Sequence, residues 1–198
     1  MKLKNVRDWV GHWLGRTKMV LGALCVWGLV FSVTTISRLA VAFDYDDTLV
    51  LSAAAYQKAF AHGSQPYSPG FWSVVNQSYD LEKPKLVAYG LAWIFRVCGF
   101  RVSIMTTRPE IDAGGLRKEW RHLIARGGFI FVADQAAKHA QLQNGNYVLY
   151  FGDSDSDIAQ ARKAKVFPVR IKRSRRSMHK NDYHPKAMGE WVLPLSQY

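Results

Sequence analysis

Residues 39–52 read LAVAFDYDDTLVLS, and this stretch decides the fold. Leu39 to Phe43 form a short apolar run of strand length, and it passes directly into Asp44-Tyr45-Asp46-Asp47-Thr48. In extended backbone, residues i and i+2 point to the same side, so Asp44 and Asp46 can serve one reacting group. One carboxylate can attack while the other handles protons.

Working outward, further runs of strand length and β composition occur at Arg101–Met105, Phe129–Val132, Tyr147–Phe151 and Val166–Arg170. Helical patterns lie between them. One is expected over Pro84–Cys98, with Pro84 in its first turn and Gly99 just past its end, and another over Leu116–Arg126, ending at Gly127-Gly128. This alternation predicts an α/β domain: a Rossmann-like parallel sheet with helices on both faces. The stretch of about 49–82 carries Gly63, Pro66, Pro69, Gly70 and several aromatics. It is too long for a plain crossover loop and predicts a small inserted cap with helix of its own.

Ligands collect outside the carboxyl ends of strands in such sheets. Four runs lead to chemically loaded positions: Asp44 to Thr48, then Thr106-Thr107-Arg108, then Lys138, then Gly152-Asp153-Ser154-Asp155-Ser156-Asp157. Asp153 and Asp157 stand where a loop enters a helix, at an i, i+4 spacing that shares one face. So many acids in one crevice repel unless a cation neutralises them, and hard oxygen donors suit Mg2+.

In these motifs the chain resembles the haloacid dehalogenase superfamily and, more narrowly, the class B acid phosphatases of its subfamily IIIB. The resemblance rests on DYDDT, Thr106, Lys138 and YFGDSDSDIAQAR, with Phe71-Trp72, Pro84-Lys85 and FPVRIKR alongside. It covers roughly residues 39–198. It implies the haloacid dehalogenase fold and a Mg-dependent acid phosphatase working through an aspartyl-phosphate intermediate on small phosphomonoesters such as nucleoside monophosphates. Transfer of the phosphoryl group to alcohols is also implied. Asp44 would be the nucleophile, Asp46 the proton donor and later the base, Thr106 a hydrogen-bond donor to phosphate, and Lys138 the neutralising cation. Mg2+ would be held by Asp44, Asp153 and the carbonyl of Asp46, with Asp157 as a further ligand or water holder. Arg108 is expected as an added phosphate contact. Tyr56 and Trp72 are expected in an apolar substrate pocket, with ordinary cap packing as the plain alternative. Asp155 is expected to be solvated or to cap a helix, and Asp47 likewise. None of the six histidines shows ligand spacing. The chain departs from its relatives at Thr107, where they usually carry Gly, and at His179, where they place an aromatic residue. It lacks their long arm ahead of the first strand, so their tetramer is not carried over and homo-oligomerisation stays open.

The chain has 198 residues and a net charge of +12, with 48% hydrophobic and 21% charged residues, which excludes a disordered basic chain. Two cysteines, Cys25 and Cys98, exclude a disulfide framework and a cysteine-based zinc site. The charge is uneven. Residues 1–18 carry +4, residues 19–157 are neutral, and residues 158–181 carry nine Lys or Arg and no acid.

Met19 to Ser37 are uncharged, and as a helix they are about 28 Å long, close to a bilayer's hydrocarbon core. Lys2, Lys4, Arg7, Arg16 and Lys18 precede this stretch and only Arg38 immediately follows, which puts the N-terminus in the cytoplasm. The chain is expected to divide into a basic, membrane-anchoring 1–38 and a phosphatase domain 39–198 outside the cytoplasm, on the periplasmic side in a bacterium. A cleaved signal is the alternative. Cutting at Ala40-Val41-Ala42 would remove most of the first strand, so the anchor is preferred. The expected partners are a small phosphorylated substrate and, through residues 19–37, a membrane. The basic segment 162–180 offers an alternative reading, a tethered protein gripping anionic lipid or nucleic acid. That run has no base-reading or stacking pattern, so nucleic acid is not expected.

Overall fold

The computed structural model describes residues 3–124 and 127–198. Lys2 and Arg126, which figured in the expected basic leader and second helix, lie outside the described residues. Two compact units occur, residues 1–37 and 38–198.

In the first unit, α1 spans Leu3–Ile36. Its stretch Thr17–Ile36 is long and apolar enough to cross a membrane, and its side chains are exposed. The hydroxyls of Ser32, Thr34 and Thr35 donate to the carbonyls of Gly28, Val30 and Phe31 at 2.8–2.9 Å. Each polar group is thereby satisfied within the helix, as an apolar surrounding requires.

In the second unit, six parallel strands form one sheet: β1 (Ala40–Asp44), β4 (Arg101–Thr106), β5 (Gly128–Phe131), β6 (Tyr147–Gly152), β7 (Phe167–Arg170) and β8 (Trp191–Val192). Their order is β5-β4-β1-β6-β7-β8. Five of them match the expected runs within a residue or so. Trp191-Val192 is too short to be read from pattern and pairs with Val169-Arg170 only because the chain end returns there. All five residues of β1 are buried, as a strand covered on both faces must be.

Alternating residues of β1 feed two cores. Val41 and Phe43 pack with Ala88 and Ala92 of α4 (Leu86–Val97) and with Leu116 and Trp120 of α5 (Gly114–Trp120). Phe43 stacks on its register partner Phe151, centroids 4.4 Å apart. Ala42 faces the other side, with Met105, Tyr150, Leu142 of α6 (Gln135–Asn144) and Ala161 of α7 (Asp155–Lys163). The helices therefore cover both faces.

Two expected boundaries differ. Pro84 is not in the first turn of α4. It belongs to β3 (Lys83–Pro84), which pairs antiparallel with β2 (Val50–Leu51), and the helix begins after Lys85. Lys85 is buried, and its ammonium donates to the carbonyls of Asp47 and Lys172 at 2.7 and 2.6 Å. The other boundary is α5, which starts at Gly114 and closes by Trp120, short of the expected span. Gly99 does follow α4, at φ +94, a left-handed conformation that L side chains adopt at a cost. Between β2 and β3 lie α2 (Ala53–Ala61) and α3 (Pro69–Gln77), packed on each other through Ala55, Tyr56, Ala59, Phe71 and Val75. These helices occupy the expected cap region, and the β2–β3 pair pins its entry and exit together.

Candidate active site

The strand order puts β1 between β4 and β6, so their carboxyl ends open side by side. Asp44 closes β1, Thr106 closes β4, and Asp153 follows β6. Asp157 is fixed by local chemistry. Ser154 caps α7 and accepts from the Asp157 N–H at 3.0 Å, while the Asp157 carboxylate accepts from the Ser154 N–H at 3.3 Å, a reciprocal capping box. Gly152 makes room for it: a Cβ there would sit 2.5 Å from the Cβ of Asp157.

Lys138, in the first turns of α6, is buried and bridges two carboxylates. Its Nζ lies 2.8 Å from Asp44 Oδ1 and 2.7 Å from Asp157 Oδ1. Tyr150 donates to the same Asp157 oxygen at 3.0 Å. Burial alone would depress the Lys138 ammonium, but Asp157 and Asp44 hold it well above its ordinary range, so it is a permanent cation.

Asp44, Asp153 and Asp157 offer oxygens all within 4.8 Å of one another. Burial pushes the Asp44 carboxyl well up, Lys138 pulls it down, and Asp157 and Asp153 add repulsion. Burial, with Asp157, raises Asp153 to about 6. A buried cluster of three carboxylates, its charge only partly offset by Lys138 and Arg173, offers the all-oxygen donor set that fits a hard divalent cation.

Asp46 faces a different partner. Arg108 holds it in a fork, Nε to Oδ2 at 2.9 Å and Nη2 to Oδ1 at 2.5 Å. Burial works against the charge of Asp46, yet the guanidinium keeps its carboxyl below the usual range. Arg108 was expected at the phosphate. It is instead fully buried, with a second ion pair to Glu82 at 2.6 Å. Thr106, also expected at the phosphate, is buried too; it accepts from the Arg108 N–H at 3.2 Å and lies 3.4 Å from Asp46. It is Thr107 that lines the cavity.

That cavity has a volume of about 440 Å3 and is lined by Asp44, Asp46, Lys138, Asp153 and Asp157 together with Tyr56, Tyr67, Trp72 and His179. The expected pair Tyr56 and Trp72 thus line the same cavity as the carboxylates. His179 meets Tyr56 edge to face at 5.1 Å.

Asp155 and Asp47 are not simply solvated. Asp155 accepts from Arg170 and His184, both at 2.7 Å. Asp47 is buried in a left-handed conformation (φ 55) and accepts from Ser177 at 2.5 Å. Sequence reasoning missed Glu82, which carried no motif, and Arg173. The guanidinium of Arg173 bonds to the Asp153 carboxylate and stacks on Tyr183, 4.9 Å from its centroid. In sequence Arg173 is hidden within the basic run.

No protein-family model matches the chain. Among solved structures, a predicted phosphoglycolate phosphatase from Haemophilus somnus superposes with a TM-score of 0.54 at 12% identity, over 79% of this chain and 93% of that one. CbbY from Rhodobacter sphaeroides, in complex with phosphate, gives 0.54 at 14% identity over 78% and 92%. These establish the fold. Relatives by sequence are more specific. The class B acid phosphatase of Klebsiella pneumoniae is 31% identical over 174 residues, 81% of this chain and 73% of that protein. That of Salmonella typhi is 30% identical over 181 residues, 84% and 76%. Identity of this level over most of both sequences means that the chain belongs to the class B acid phosphatase family and is a phosphoric monoester hydrolase.

Proposed function

We propose that the chain is a Mg2+-dependent phosphatase that hydrolyses small phosphomonoesters, nucleoside monophosphates among them, through an aspartyl phosphate on Asp44. The observation that carries the reading is Lys138, clamped between Asp44 and Asp157, which holds the Asp44 carboxylate oriented within the cluster of Asp44, Asp153 and Asp157. Asp44 attacks phosphorus and the ester P–O bond breaks. Asp46 gives its proton to the departing alkoxide and then takes one from the water that hydrolyses the acyl phosphate. Lys138 offsets negative charge on the transferring oxygens. Mg2+, when held by Asp44, Asp153 and the Asp46 carbonyl with Asp157 beside them, supplies further positive charge at those oxygens. An alcohol replacing that water would receive the phosphoryl group. Tyr56, Trp72 and His179 form the wall for the leaving group, a fit for a nucleoside base.

Arg108 and Thr106 act through Asp46. An acid held below its usual range by a guanidinium is protonated only at low pH, so leaving-group protonation favours acidic conditions. Arg108→Gln is expected to raise the Asp46 pKa and to move the descending limb of the kcat–pH profile to higher pH. A profile of unchanged shape and position contradicts this role.

The cation reading is tested by chelation. Release of p-nitrophenol from p-nitrophenyl phosphate is expected to fall at least about 100-fold in EDTA and to return with Mg2+. Full activity in EDTA excludes it. A nucleotide and sugar-phosphate screen of the same preparation ranks substrates. The exposed apolar α1 supports the reading that the enzyme is held at a membrane with its catalytic unit outside the cytoplasm. N-terminal sequencing of the native protein distinguishes this from an exported form cleaved after α1.

A further inference from the structure

A second cavity of about 690 Å3 lies beside the catalytic one and is unused by the mechanism above. It is lined by Lys172, Arg173, Arg175 and Arg176, with Tyr183 and Gln197 among the rest, and by no acidic side chain. Arg173 also lines the catalytic cavity, so one guanidinium forms a shared wall. Among the described residues, Arg173 has a carboxylate partner, Asp153, whereas Lys172, Arg175 and Arg176 have none within 4.0 Å. Three unpaired cations at the wall of one concavity raise the local concentration of multivalent anions. The cavity has the size of a small-molecule site.

We infer that this cavity is a second, non-catalytic anion site that takes a small molecule bearing a diphosphate, or two phosphates. Arginine forks match phosphate oxygens two at a time, and three unpaired cations match a charge near −3. Through Arg173 the occupant shares a guanidinium with Asp153, which links it to the catalytic cluster without entering it. The basic stretch after Asp157 thereby has a binding role separate from catalysis.

The test is calorimetric titration of methylenediphosphonate, which phosphatases cannot cleave, into the full chain in EDTA at low ionic strength. One binding event is expected, weakened at least tenfold in the double variant Arg175→Ser/Arg176→Ser. It should change less than twofold in Gln135→Glu, which adds a negative charge to the wall of the catalytic cavity instead. Circular dichroism establishes that both variants are folded. Absence of binding by the wild-type chain overturns the inference, as does equal affinity in the double variant or an equal loss in Gln135→Glu. Binding is read without turnover, so failure here and failure of the proposed reaction are distinguishable.

Discussion

Asp44→Asn is expected to lower hydrolysis of p-nitrophenyl phosphate by at least about 10^4-fold, while the chain remains folded. Removing a covalent nucleophile has costs of this order because the remaining positioning and electrostatics cannot supply the missing bond. The substitution is nearly isosteric, and the environment favours the fold's survival. Burial and two neighbouring carboxylates push the Asp44 carboxyl upward, so a neutral amide at this place relieves repulsion while sacrificing the 2.8 Å contact with Lys138 as an ion pair. Thermal unfolding should therefore shift little while turnover is lost. Turnover within tenfold of the wild type would remove Asp44 from the chemistry.

Lys138→Met should affect both activity and stability. The ammonium neutralises two buried carboxylates at once, at 2.8 and 2.7 Å. Replacing it with an apolar side chain of similar length keeps the packing and leaves Asp44 and Asp157 facing each other without a counter-charge. Breaking a buried pair costs about 3–5 kcal/mol, because the abandoned charge stays out of water. Asp157 also carries the capping box of α7, so its displacement spreads into the helix start. Chemical denaturation is expected to show a loss of that size, and Mg2+ to recover part of it by supplying positive charge to the same carboxylates. Stability equal to the wild type without added cation contradicts the clamp.

The sequence made the sheet legible because β1 is buried throughout, β4 from Val102 onward and β6 over residues 150–152, so that they read as short, mostly apolar runs. The clustering of Asp44 with Asp153 was legible for a related reason: one closes β1 and the other follows β6, its neighbour in the sheet. What escaped were residues whose partners are distant in sequence. Glu82 reaches Arg108 across 26 residues, and Arg173 reaches Asp153 across 20, with no periodic pattern linking either pair. Arg108 was read as a phosphate contact because it follows a strand end. In the fold its side chain turns inward, since Asp46 and Glu82 both need a buried counter-charge there. Pro84 misled in a smaller way. Proline suits a first helical turn as well as a short edge strand, and Lys85, buried against two carbonyls, delays the helix.

The central claim is that the phosphoryl group passes through Asp44. Its most direct test is rapid acid quench of the enzyme turning over p-nitrophenyl phosphate in Mg2+, followed by peptide mass spectrometry, for the wild type and for Asp46→Asn. One phosphoryl group is predicted on the peptide containing Asp44, at higher occupancy in Asp46→Asn, where hydrolysis of the intermediate lacks its base. Sustained turnover with no phosphorylated peptide, or with the label on another residue, would contradict the account.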